Sequence, residues 1–187
     1  MRVLISAISL ALALSGQLHA EAMTGKAAGK LVFSADKAEV KLMAGVDLPK
    51  EQVNAVKSVL SAQPYYGAMA MSPDEGLLSE STVATANFHS VEAAGAAAVA
   101  QCNAKKTGAT PCIVVAVVQP KGFRARALQL SSEASAGFKA GYPAVGGAVA
   151  ISTATGVWGM GQTAAAAMGA CAETAAKPKD CAVVVEN

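Results

Sequence analysis

Aromatic residues are scarce in this chain. Trp, Tyr and Phe together make up 4% of 187 residues, and charged residues only 15%. A core built mostly of alanine and valine gains little per residue from burial, so covalent staples are expected to supplement it. The formal net charge is +2, with no long run of either sign. That excludes the basic stripe that nucleic-acid binding needs and offers no electrostatic attraction to anionic lipid. Histidine is nearly missing, with only His19 and His89 present. No His, Asp, Glu and Cys set shows metal-ligand spacing, so neither a metal nor a cofactor is expected. Beyond the N-terminal stretch no apolar run approaches the ~20 residues that a bilayer span requires.

What is there begins with an export signature. Met1-Arg2 is a short basic start, and residues 3–14 are apolar at the length of a signal-peptide core. Ala20-Glu21-Ala22 fits an A-x-A cleavage site, and cleavage after Ala20 is the alternative. The reading is a signal peptide over residues 1–22 and a periplasmic or secreted mature chain. Its partner is then an envelope protein or a small ligand.

One pattern occurs twice. Gly67-Ala68-Met69-Ala70-Met71-Ser72 runs to Gly76, and Gly147-Ala148-Val149-Ala150-Ile151-Ser152 runs to Gly156. Each is followed by an alanine-rich run and a C-x9-C pair that opens an apolar stretch: Cys102 with Cys112, and Cys171 with Cys181. The matching spacings indicate an internal duplication. In an exported chain, four cysteines point to disulfides, and a duplicated unit would duplicate its own bridge. Zinc is the competing reading, but C-x9-C is not a usual zinc spacing. The expected bridges are Cys102–Cys112 and Cys171–Cys181, and each closes a loop worth about 3 kcal/mol in the chain-entropy model.

In chain order, residues 30–34 and 39–43 read as short strands. Residues 51–62 read as a helix capped by Asp47, with Val53, Val56 and Leu60 on one face. Each repeat then reads as a hairpin, a helix and a returning strand. Ser90 caps the first alanine-rich helix, in which Gly95 suggests a close backbone approach. Residues 113–118 are apolar throughout and read as a central strand, with 123–130 as a further strand beside it. Residues 132–139 read as a connector helix. The second repeat lacks a counterpart to 123–130, so an early strand within 30–43 is expected beside 181–185. The expected fold class is α+β. It is a single domain of two pseudo-symmetric hairpin–helix–strand repeats, with a mostly antiparallel sheet and helices packed on it. The segments are 23–64 for the N-terminal strand and helix, 65–130 for repeat one, 131–144 for the connector and 145–187 for repeat two.

The unit Gly-Ala-x-Ala-x-Ser-x3-Gly, followed by an alanine-rich helix and C-x9-C, resembles a family of small exported bacterial domains of unknown function. The resemblance covers roughly residues 64–187 and implies no catalytic residue. Chains of this kind, with the stretch Gln63-Pro64-Tyr65-Tyr66, are similar to ones labelled 5-carboxymethyl-2-hydroxymuconate isomerase. That label implies an amino-terminal proline base or a metal-ligand cluster. Residue 2 is Arg, neither cleavage site exposes a proline, and Pro49 and Pro64 lie deep in the chain.

The remaining candidates are few. His89, alone after signal removal, lacks a local nucleophile and acid. Ser72 and Ser152 read as turn hydroxyls, and Asp74, Glu75 and Glu80 as an acidic turn. Gly159-Met160-Gly161 precedes a helix and offers a weak anion cradle. Tyr65, Tyr66, Trp158 and His89 are the candidates for lining a ligand groove. The reading is a non-enzymatic binding or interaction module, with the isomerase as the alternative.

Overall fold

The computed structural model describes residues 21–187. The expected signal segment therefore lies outside the described residues, apart from Glu21 and Ala22. The elements in order are α1 (Gly25–Leu31), β1 (Ala38–Leu42), α2 (Lys50–Ser61), β2 (Gly67–Met71), β3 (Val83–Thr85), α3 (Val91–Lys105), β4 (Ile113–Pro120), α4 (Ser132–Gly141), β5 (Ala148–Ser152), β6 (Trp158–Gly161), α5 (Ala164–Ala172) and β7 (Cys181–Glu186). The fold is α+β, with the strands divided into two antiparallel sheets rather than one. Their orders are β1-β4-β2-β3 and β6-β5-β7. Among the described residues no helix is long and apolar enough to cross a membrane.

The two sheets share one connectivity among β2–β4 and β5–β7. In each, a hairpin (β2-β3 or β5-β6) leads into a helix and returns as a strand beside the first hairpin strand. The pairings Ala68↔Val117, Met69↔Ala116, Ala70↔Val114 and Met71↔Ile113 match Ala148↔Glu186, Val149↔Val185, Ala150↔Val183 and Ile151↔Ala182 position for position. Both ladders carry the same irregularity, which leaves Val115 and Val184 as the extra residue of a β-bulge.

This layout explains the repeated motif. Ala68 and Ala70 face α3, and Ala148 and Ala150 face α5, in clusters with Ala94 and Ala98 or with Ala167. Methyl-sized side chains let each helix lie close on its own strands. The intervening Met69, Met71, Val149 and Ile151 point to the opposite face, under α2 or under α4. The closing glycines, Gly76 and Gly156, have φ of +77° and +75°, and their N–H groups return to the Ser72 and Ser152 carbonyls at 2.9 and 3.1 Å. Apart from α2, the helices start where side-chain oxygens satisfy free amides. Ser90, Ser131 and Thr163 accept from Ala93, Ala134 and Ala166, each worth about 1 kcal/mol.

Several expectations are corrected. Residues 30–34 form no strand, because Lys30 and Leu31 end α1. α2 begins after Pro49, which occupies the N-cap, so Asp47 does not cap it. Residues 123–130 are not a strand. Leu128 and Leu130 are buried and Phe123 packs on Phe33 and Tyr66, so their apolar spacing serves packing without a ladder. The early strand β1 pairs with β4, not β7. The place beside β7 is taken by Met23, which bridges Val185 in parallel.

Both disulfides form as expected, Cys102–Cys112 and Cys171–Cys181, and no cysteine is free. Each ties the end of a repeat's helix to the start of its returning strand.

Candidate functional site

The sheet order creates an uncovered face. α3 packs on β2, β3 and β4, while β1 extends the sheet beyond the helix. A groove of about 620 Å³ results. Val114 and Val117 form its floor, α3 supplies Val99 and Ala96, and Leu42 and Met43 close the far side. Lys41, Glu92 and Gln119 are its polar residues. Gly95 was expected to mark a close backbone approach. A Cβ there would meet only Val114 Cγ2, at 3.4 Å, so no backbone presses on it.

A larger cavity, about 910 Å³, lies along β7 and between the halves. Part of it reproduces the first groove. Val183 holds the place of Val114 on the strand, and Met168 that of Val99 on the helix. In both, an early methionine reaches the bulged valine: Met43 N–H donates to the Val115 carbonyl at 2.9 Å, and Met23 N–H to the Val184 carbonyl at 3.1 Å. The bulge leaves that carbonyl without a partner in its own hairpin strand, and a second segment satisfies it.

The four residues expected to line one groove are not brought together. Tyr65 and Tyr66 are fully buried beneath α2, packed edge to face. Burial pushes both phenols above their ordinary range. Trp158 packs against α4 at Gly137, where a Cβ would overlap the indole. Only His89 lines the larger cavity, and it is 3% exposed. Nothing in the sequence marks the groove itself, since it follows from β1 outrunning α3.

The carboxylates are held in structural bonds. Asp74 accepts from Thr110 N–H at 2.7 Å and Thr110 Oγ1 at 2.6 Å. Glu75 accepts from Ser81 Oγ and from the amides of Thr107 and Gly108 at 2.6, 2.6 and 2.9 Å. They clasp the motif turn to the disulfide loop. In the second half the clasp runs the other way: Asp180, beside Cys181, accepts from Ser152 Oγ, Thr153 Oγ1 and Ala154 N–H. Ser152 is thus a turn hydroxyl with a partner, while the buried Ser72 Oγ has none among the described residues. Glu80 is exposed. Gly159 and Gly161 press on the backbone of α5, which accounts for both by packing. Among the described residues no group of three His, Cys, Asp or Glu is placed to hold a metal.

No protein-family model, curated protein or solved structure matches the chain.

The clasp carries a pH prediction. The Ser81 hydroxyl and the two amides lower Glu75 from 4.5 to about 2, and Thr110 holds Asp74 below its usual range. A carboxylate depressed on folding stabilises the fold above its unfolded pKa and loses that contribution as pH falls towards the folded value. The melting temperature is therefore expected to fall between pH 4.5 and 2. Glu75→Gln is expected to melt lower at pH 7 and to flatten that slope, as followed by circular dichroism. A slope unchanged in the variant would remove Glu75 from the account.

Proposed function

We propose that this chain is an exported, disulfide-stapled binding module whose ligand is an apolar molecule, or the apolar part of one, seated between α3 and the β1–β4 edge. The groove carries the reading. Its floor and walls are valine, leucine, methionine and alanine, its volume suits a small molecule, and its polar residues are few, with Gln119 and Lys41 both facing Glu39. Export is supported by the N-terminal signature and by two disulfides, which persist in oxidising compartments. The isomerase alternative calls for titratable groups that converge on a substrate. Here His89, Asp74, Glu75 and Asp180 each spend their bonding capacity on the fold.

The test fills the groove. Ala96 is exposed on α3 and lines it, whereas Ala100 is exposed on α3 and does not. With 1-anilinonaphthalene-8-sulfonate as the probe, Ala96→Phe is expected to weaken binding about tenfold, corresponding to ~1.4 kcal/mol. Ala100→Phe is expected to leave binding unchanged. Equal binding by all three proteins would reject the groove. Turnover of a hydroxymuconate substrate, lost on replacing one side chain, would favour the enzyme.

A further inference from the structure

His89 stands where three separate segments meet. It belongs to the loop before α3. Its Nδ1 accepts the amide N–H of Ser131, the N-cap of α4, at 2.9 Å. Its Nε2 lies 3.0 Å from the carbonyl oxygen of Val157, next to β6. A carbonyl only accepts and an amide N–H only donates, so Nε2 carries the proton and Nδ1 is bare. The fold therefore requires the neutral ring, in one tautomer.

The neighbouring contacts belong to the same joint. Asn87, at φ +63°, accepts the Glu133 N–H on Oδ1 at 3.1 Å. Gly156 lies against the Asn87 carbonyl so closely that a Cβ would overlap it. Trp158 follows Val157 and rests on α4 at Gly137. The loop at residues 87–89, the start of α4 and the turn leading into β6 are thus held together with the imidazole at their centre.

We propose that His89 is an acid-sensitive latch between the two halves of the molecule. A proton added at Nδ1 would face the Ser131 N–H donor to donor and break that bond. The resulting imidazolium would sit buried with one hydrogen bond, to Val157. The N-terminus of α4 then separates from the loop before α3, and the 910 Å³ cavity that His89 lines widens. The charged groups around the ring are few. Asp180 favours the protonated form from the start of β7, but its carboxylate already accepts three bonds from the motif turn. Arg126 and Glu21 line the same cavity with opposite charges. Burial outweighs the pull of Asp180 and of the Val157 and Gly156 backbone and lowers the His89 pKa below 6.5. The unfolded chain then takes up the proton first, so the latch is fully engaged above pH 6.5 and weakens as pH falls below it. The latch does not depend on what the groove beside α3 binds.

The molecule carries its own reporter, because Trp158 is the only tryptophan. Fluorescence of the purified protein is to be followed from pH 8 to 4, with far-UV circular dichroism in parallel. A single-step change in Trp158 emission is expected, with its midpoint below 6.5 and the helix signal retained. His89→Gln keeps a donor for the Val157 carbonyl and cannot titrate, so the step is expected to vanish. The same step persisting in a folded His89→Gln protein would overturn the proposal. So would helix loss at the Trp158 midpoint. If the variant does not fold, the wild-type His89 C2–H resonance decides: the latch requires its NMR midpoint to coincide with that of Trp158, and separate midpoints would refute it.

Discussion

Replacing Cys102 and Cys112 together by alanine is expected to destabilise the protein by about 3 kcal/mol, the loop-closure entropy of a bridge of this span. The residues are ten apart in sequence. Cys102 is fully buried and Cys112 nearly so, both in the cluster that joins α3 to its strands. The bridge holds the end of α3 against the start of β4, and the clasp made by Asp74 and Glu75 lies on the same loop. Losing the bridge frees that loop, and so weakens the bonds from Thr107, Gly108 and Thr110 as well. For a chain of this size a loss of ~3 kcal/mol lowers Tm by roughly 6–12 °C. Removing Cys171 and Cys181 is expected to cost a similar amount, because the second half repeats the arrangement. Thermal melts of each double variant, read against the wild type without reductant, check this. A shift under ~2 °C would show that the bridges are incidental to a core this poor in aromatics.

The second large effect is expected at Gly159. A Cβ there would overlap the Ala167 carbonyl oxygen and the Cys171 amide nitrogen, so β6 lies directly on the backbone of α5. Backbone cannot rotate away as a side chain can. Gly159→Ala is expected to cost about 3 kcal/mol, at the upper end for an overpacked core. Gly95→Ala supplies the contrast within the equivalent helix. Its nearest neighbour is the Val114 side chain at 3.4 Å, and an alanine mid-helix gains up to ~1 kcal/mol of propensity. That variant is expected to be neutral or stabilising. Urea unfolding of the two proteins separates them. Equal midpoints would contradict the reading of β6 against α5.

The contrast between these glycines shows what the sequence made legible. The duplicated spacing of Ala68, Ala70, Ala148 and Ala150, and of the cysteine pairs, carried the hairpin–helix–strand order and both bridges. Those features depend on residues close in sequence, where periodicity and capping act. The failures lie at long range. Repeat logic placed an early strand beside β7, but Met23 fills that place and β1 is drawn to β4. The apolar spacing of Phe123, Leu128 and Leu130 signalled burial, and burial alone does not make a ladder. Asp47 has a good capping side chain, yet Pro49, two residues later, takes the N-cap position. His89 gave no local signal, because its partners Ser131 and Val157 lie 42 and 68 positions away. The groove is a consequence of sheet order, and no single residue announces it.

The central claim, that the face beside α3 is a ligand site, is tested most directly by methyl NMR during titration with a medium-chain hydrocarbon probe. Binding in the groove predicts shift changes confined to Leu42, Met43, Val91, Val99, Val114 and Val117. It also predicts that Ala96→Phe moves them to about tenfold higher probe concentration, while the Val149 and Ile151 methyls stay unmoved. No saturable change at those six residues, or equal changes throughout the second half, would contradict the account.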